Sequence, residues 1–142
     1  MANTQVEQVF DIPANQLWEL IGDFGDMSKW TGLPPETCIQ EGDGIGSLRT
    51  LRFRKGEIII DRLEAETDTS YTYSIVNNDE TPLPYKSYRA TMSVEPVNAT
   101  PSRFVWAGEF EPDGITDDEA VVFAQNMYSM GIGYIKKAVD GL

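Results

Sequence analysis

The feature that most constrains the fold is a long amphipathic segment at the C-terminal end of the chain, from Thr116 to Leu142. Thr116 and Glu119 have the spacing of a capping box, which predicts that a helix begins there. At about 1.5 Å per residue, this helix is on the order of 36 to 40 Å long. Its predicted apolar face needs a partner surface of similar length, and the only upstream candidate is a set of strands. The residues of that face recur at intervals of three and four: Ala120, Phe123, Ala124, Met127, Gly131, Tyr134, Ile135, Ala138 and Leu142.

Most of the remaining chain has patterns that are typical of β-strands. Short turns between them indicate an antiparallel meander. Pro13 suits the first position of a short helix, whose apolar side extends to Phe24, and a further turn is expected near Trp30. The order of elements predicts an α+β fold in which a curved antiparallel sheet of about seven strands wraps around the C-terminal helix, with one or two short helices after the first strand. The predicted strands are 3–10, 37–41, 47–53, 57–66, 70–76, 85–95 and 102–110.

Length and composition restrict the possible functions. The 142 residues, of which 41% are hydrophobic, fit one domain spanning 1–142. A formal net charge of −12 argues against binding of nucleic acid and of anionic lipid headgroups. Histidine is absent and Cys38 is the single cysteine, so the sequence implies no metal site and no cofactor. With no signal-peptide pattern and no apolar run of about 18 residues, we expect a cytoplasmic protein without stable membrane insertion.

Two opposite charges fall on the apolar faces of neighbouring strands. An unpaired charge in such a place is costly, so Arg49 and Asp61 are expected to contact each other or a ligand. A structural ion pair that fixes the strand register is an equally simple interpretation. Strand alternation places apolar residues on the same inward faces: Leu51 and Phe53 with Arg49, and Ile59, Leu63 and Ala65 with Asp61.

Aromatic residues share the inward faces of the later strands. Tyr73, Tyr88 and Trp106 are interpreted as walls of a pocket, because their rings combine a large apolar area with a hydrogen-bonding edge. Phe104 and Phe110 are expected to fill the core instead. Trp30 and the methionines of the helix fit either a pocket or ordinary packing. The complete set of predicted ligand-binding residues is Trp30, Arg49, Leu51, Asp61, Leu63, Tyr73, Tyr88, Trp106, Met127, Met130 and Tyr134.

Two glycines lie inside the predicted helix. Gly131 and Gly133 each destabilise a helix interior by about 1 kcal/mol relative to alanine. A strand or a ligand that approaches the helix closely would explain both of them.

A series of landmarks, taken in order, resembles a known family. They run through Ile12-Pro13-Ala14, Leu17-Trp18, Asp23-Phe24, Trp30, Gly46, Arg49, Gly56, Arg62-Leu63, Tyr73, 82–85, Tyr88 and 106–110. From Val6 to Leu142, their order and spacing resemble the polyketide cyclase/dehydrase and lipid-transport family of the START-like (SRPBCC) superfamily, which has a helix-grip fold. The resemblance implies a hydrophobic cavity between the sheet and the C-terminal helix. Members of this superfamily bind, carry or convert apolar molecules or act as co-chaperones, so the fold alone does not select among these activities.

Three functions remain open at this level. The first is binding or transport of a hydrophobic small molecule, of a lipid, polyketide or aromatic-like kind, in the cavity. The second is a cyclase, dehydratase or lyase in the same cavity, with Arg49 polarising a carbonyl group and Tyr73 or Tyr88 moving a proton together with Asp61. The third is a protein-interaction module of the co-chaperone type that works through the outer face of the sheet. No activated nucleophile is recognisable, so the sequence leaves open whether the protein is an enzyme.

Overall fold

The computed structural model describes residues 2–53, 56–76 and 83–142. Residues 54–55 of the turn expected between the predicted strands 47–53 and 57–66, and most of the loop expected at 77–84, lie outside these ranges. Within them, the chain forms β1 (Ala2–Phe10), α1 (Ala14–Ile21), α2 (Ser28–Thr31), β2 (Cys38–Glu41), β3 (Leu48–Arg52), β4 (Ile58–Glu66), β5 (Ser70–Val76), β6 (Tyr85–Pro96), β7 (Ser102–Pro112) and α3 (Asp117–Asp140). A single 3-10 turn, Pro35–Thr37, precedes β2.

The strands form one antiparallel sheet in the order β1-β7-β6-β5-β4-β3-β2. Consecutive strands from β2 to β7 are neighbours, as a meander requires, and β1 pairs with β7 at the far edge. Helix α3 contacts β1, β7 and α2. The predicted α+β architecture, with a seven-stranded sheet and a long C-terminal helix, is confirmed.

Helix α3 begins with the predicted capping box. The Thr116 hydroxyl accepts a hydrogen bond from the Glu119 backbone N–H at 3.1 Å, and the Glu119 carboxylate accepts one from the Thr116 N–H at 3.0 Å. Acidic residues fill the first turn, where the helix dipole favours negative charge. The start of the helix is therefore fixed by local sequence.

The buried face of α3 is rotated relative to the predicted one. Tyr128 and Ile132 were not assigned to that face, yet both are buried, whereas Phe123 is 38% exposed and Leu142 is 64% exposed. The face turned towards the sheet combines three small residues with three large ones, and this mixture hides it from a count of large apolar residues. The buried residues are Ala120, Ala124, Tyr128, Gly131, Ile132 and Ile135.

Two glycines bring α3 and β7 into close contact. A Cβ atom on Gly131 would lie 2.6 Å from Cζ3 of Trp106, and one on Gly108 would collide with the hydroxyl of Tyr128. Close approach therefore explains Gly131, as expected. The same expectation is wrong for Gly133, because an added Cβ there would meet no atom within 4 Å.

Three smaller predictions are also corrected. Helix α1 ends at Ile21, with Gly22 as its C-cap, and Pro13 is the residue before its first position. On β4, the register shifts between Leu63 and Ala65, and this bulge turns Ala65 to the exposed surface. The expected core role of the phenylalanines of β7 is confirmed, since Phe104 and Phe110 are both fully buried.

Candidate ligand-binding site

A cavity of about 390 Å³ lies between α3 and the inner face of the sheet. Its volume is within the range of about 300 to 1,000 Å³ that is typical of small-molecule sites. Apolar and aromatic side chains make up most of the wall. Helix α3 contributes Phe123, Asn126, Met127, Tyr128, Met130, Gly131 and Tyr134.

The structure brings the predicted ligand-binding residues together at this cavity, with one exception. Trp30, Arg49, Leu51, Asp61, Tyr73, Tyr88, Trp106, Met127, Met130 and Tyr134 all line it. Leu63 does not, and that part of the prediction is corrected. It lies one inward position beyond Asp61 on β4, where it is 2% exposed and belongs to the closed hydrophobic core. Met130 is 67% exposed, which places it at the rim of the cavity.

Arg49 and Asp61 form a buried ion pair across β3 and β4. They are direct partners in the strand register, and each is 2% exposed. Nε and Nη2 of Arg49 donate to the same carboxylate oxygen, Oδ2 of Asp61, at 3.1 and 2.7 Å. Nη1 donates to the carbonyl oxygen of Phe24 at 3.0 Å and to the hydroxyl of Tyr71 at 3.2 Å. Every nitrogen of the guanidinium group therefore has a partner within the protein.

Burial and pairing act in opposite directions on the carboxyl group. Burial raises the pKa of Asp61 above its ordinary value, and the charge of Arg49 and its hydrogen bonds oppose that rise. Burial lowers the pKa of Arg49, but the interactions with Tyr71 and Asp61 outweigh this effect and leave it above its ordinary value. Because arginine stays protonated and donates twice to Oδ2, the ionised pair is the state that this geometry stabilises.

Two buried polar atoms of cavity-lining residues have no hydrogen-bond partner in the described ranges. One is Oδ1 of Asp61, the oxygen that Arg49 does not contact, and the other is Nε1 of Trp30. Native proteins seldom leave buried polar atoms unpaired, so each of these atoms requires an explanation. Both residues line the cavity, but these two atoms are themselves closed off from it by the surrounding side chains.

A network of aromatic residues continues the wall from the Arg49–Asp61 pair, since the ring centroid of Tyr73 is 5.4 Å from Cζ of Arg49. Nε1 of Trp106 donates to the hydroxyl of Tyr73 at 3.2 Å, and the hydroxyls of Tyr88 and Tyr128 are hydrogen-bonded to each other. The rings of Trp106 and Tyr128 are stacked, with 4.5 Å between their centroids. Burial raises the pKa of Tyr128 to about 12 and the pKa values of Tyr73 and Tyr88 well above 10. At neutral pH these tyrosines are uncharged.

Sequence reasoning missed several contributors to the site, among them Tyr128, Cys38 and Arg52. Tyr128 could have been found, because it continues the four-residue spacing of Ala120 and Ala124. Cys38 lines the cavity, but no sequence signal marks it as a wall residue. Its thiol lies 3.5 Å from the carbonyl oxygen of Gly25, and burial raises its pKa, so it is not an activated nucleophile.

Two further classes of feature are absent from the described residues. They contain no group of three or more Cys, Asp or Glu side chains placed to hold a metal ion. None of their helices has the length and hydropathy needed to span a membrane.

Known proteins with the same architecture include several bacterial ones. A family model described as polyketide cyclase/dehydrase and lipid transport matches residues 1–140. The protein XoxI from Bacillus cereus is 32% identical, with a TM-score of 0.82 over 98% of this chain and 96% of its own. A protein of uncharacterised function from Bacillus thuringiensis is also 32% identical, with a TM-score of 0.82 over 97% of this chain and 98% of its own.

A more distant structure shares the fold alone. Ara h 8.0201 is 15% identical, with a TM-score of 0.73 over 97% of both chains. No functionally curated protein is similar enough to match.

Proposed function

This chain belongs to the polyketide cyclase/dehydrase and lipid-transport family, which has a hydrophobic ligand-binding fold, and from that premise we propose that it binds and carries an apolar small molecule. The ligand occupies the cavity between α3 and the sheet. The observation that carries the proposal is the cavity itself, since about 390 Å³ between the two layers is left unfilled by side chains. A cavity lined by aromatic and aliphatic side chains favours a ligand that loses contact with water on binding.

The polar groups of the cavity support binding more than catalysis. A cyclase or dehydratase needs a donor that polarises a carbonyl group and a second group that moves a proton. Four of the five N–H groups of Arg49 already donate to Asp61, Phe24 and Tyr71, so the guanidinium has little capacity left to polarise a substrate. Asp61 is the sole carboxylate among the described residues that line the cavity, and Arg49 holds one of its oxygens.

The third candidate function receives less support. A co-chaperone that works through the outer face of the sheet has no need of an internal cavity, and a solid core would serve it equally well. The cavity instead interrupts the packing between α3 and β3 to β5, which removes contacts that would otherwise stabilise the fold. Such a defect is easier to understand if a guest molecule fills it.

The test is a pair of tryptophan substitutions on α3, measured with the neutral fluorescent probe N-phenyl-1-naphthylamine. Met127 lines the cavity, so Met127→Trp is expected to occupy part of it and weaken saturable binding of the probe. Val122, which is 55% exposed on the same helix and not part of the wall, provides the matched control Val122→Trp. The control is expected to bind the probe like the unmodified protein.

Thermal unfolding of both variants shows whether each keeps its fold. The proposal fails if the unmodified protein shows no saturable fluorescence increase. It also fails if a folded Met127→Trp variant binds the probe as well as the control does.

A further inference from the structure

The cavity wall carries a net charge of the opposite sign to that of the whole chain. Its charged side chains, among the described residues, are Arg49, Asp61 and Arg52. Arg49 and Asp61 neutralise each other in the buried ion pair, with 2.7 Å between Nη2 and Oδ2. Two arginines against one aspartate therefore leave the wall with one net positive charge, that of Arg52, in a chain whose formal net charge is −12.

Arg52 has no acidic partner within the protein. It is the last residue of β3, is exposed, and lines the cavity, whereas Thr50 on the same side of the strand does not. None of the salt bridges within the described ranges includes it. Glu57 directly precedes Ile58, the register partner of Arg52, yet no salt bridge joins the two charged side chains. The guanidinium of Arg52 is therefore available to an anion from outside the chain.

This charge lies at the exposed end of the wall, away from the buried ion pair. Along β3, Arg49 is 2% exposed and Leu51 is partly buried, while Arg52 at the end of the strand is exposed. The wall residues that are exposed to solvent, which we call the mouth, are Arg52, Phe53, Phe123, Asn126 and Met130. None of them is acidic. An anionic group at the mouth would keep its contact with water and meet a positive charge, whereas deeper in the cavity it would lose its hydration.

Resting on the function proposed above, we propose that the ligand is an amphipathic organic anion, bound with its apolar body in the cavity and its anionic group at the mouth beside Arg52. Burial of the apolar body supplies most of the affinity. The planar guanidinium of Arg52 pairs with a carboxylate or a similar group. Carboxylates elsewhere on the protein repel the ligand little, because salt at 0.1 M screens charges over about 10 Å.

Three ten-carbon ligands that differ only at one end test the proposal: decanoate, decan-1-ol and decylammonium. At pH 7 the carboxylate is ionised and the amine is protonated. Each ligand is titrated by displacement of N-phenyl-1-naphthylamine. Exposed charge pairs are weak, so we expect decanoate to bind about fivefold more tightly than decan-1-ol, and 1 M salt to narrow this difference. Decylammonium is expected to bind most weakly, because its charge is repelled by Arg52.

Substitutions locate the effect. Arg52→Gln removes the charge and keeps a polar side chain, so the preference for decanoate is expected to disappear while the affinity for decan-1-ol is unchanged. Arg62→Gln alters the net charge of the chain equally, at an exposed position on β4 outside the cavity wall, and is expected to leave the preference intact. Arg52→Glu is expected to reverse the order of decanoate and decylammonium.

The outcomes separate this proposal from the one on which it rests. The anion proposal is overturned, while binding in the cavity stands, if decan-1-ol binds as tightly as decanoate or if no ten-carbon ligand displaces a bound probe. It is also overturned if Arg62→Gln removes the preference as fully as Arg52→Gln does. If the probe itself does not bind saturably, both proposals are overturned.

Discussion

Helix α3 meets the sheet in two different ways. At β7 the contact is direct, because Gly131 lies against the ring of Trp106 and Gly108 leaves room for the hydroxyl of Tyr128. Facing β3 and β4, the helix instead presents side chains such as Met127 to a cavity of about 390 Å³. One helix therefore both closes the core and bounds an open space.

The difference follows from where small and large residues lie on the helix. Ala120 and Ala124 are fully buried, and together with Gly131 they let the backbone of α3 approach the sheet. Long and adaptable side chains such as Met127 lie at the edge of this contact and do not fill the space beside it. The cavity is thus a consequence of a close contact on one side, since a rigid helix that is held near β7 cannot also close against β3 and β4.

The largest expected effect on stability comes from breaking the Arg49–Asp61 ion pair, which lies where α3 faces the cavity. Asp61→Ala leaves the guanidinium of Arg49 buried without its carboxylate, and we expect the free energy of unfolding to fall by about 3 to 5 kcal/mol. Glu95→Ala is the control, because the Arg103–Glu95 pair is solvent-exposed, and little change is expected there. Urea unfolding followed by circular dichroism measures both variants. Similar small effects would contradict the structural importance of the buried pair.

A pair of glycine substitutions tests the close contact between α3 and β7. Gly131→Ala drives a methyl group into Trp106 and is expected to lower the free energy of unfolding by about 1 to 2 kcal/mol. Gly133→Ala meets no atom within 4 Å and is expected to raise it by up to about 1 kcal/mol through better helix propensity. Guanidinium unfolding of the two variants gives the values. If both substitutions stabilise the protein, α3 and β7 are not in tight contact.

Alkaline titration probes the buried tyrosines that lie between the α3–β7 contact and the cavity. Burial raises the pKa of Tyr128 from 10.0 to about 12, so its contribution to stability is complete below pH 10 and is lost as the pH rises towards 12. We expect this residue to account for about 1 kcal/mol of lost stability by pH 11. Urea unfolding between pH 8 and pH 11 measures the loss, and Tyr128→Phe is expected to reduce it. An equal loss in that variant would show that Tyr128 does not titrate in this way.

Local patterns in the sequence were sufficient to predict the architecture. The capping box of Thr116 and Glu119 fixes the start of α3, and the two-residue period of the strands places Arg49 and Asp61 on one face. Neither of these features depends on distant contacts. The sequence therefore predicts the element order, and it predicts that Arg49 and Asp61 contact either each other or a ligand.

The sequence could not predict in the same way which inward-facing residues line the cavity and which lie in the closed core. Strand alternation assigns Leu63 and Asp61 to the same face, but it cannot tell which of them lines the cavity and which lies in the closed core. The bulge that turns Ala65 outward has no glycine or proline to reveal it. The free oxygen of Asp61 depends on how Arg49 divides its hydrogen bonds, which is a property of the folded structure alone.

The most direct test of ligand binding in the cavity uses its own thiol. Cys38 is the single cysteine of the chain, is 8% exposed and lines the cavity, so the rate of its reaction with a thiol reagent reports on access to this space. We predict that saturating N-phenyl-1-naphthylamine slows this reaction in the folded protein and leaves it unchanged in protein unfolded by urea. A rate in the folded protein that does not change as the probe saturates would contradict the account.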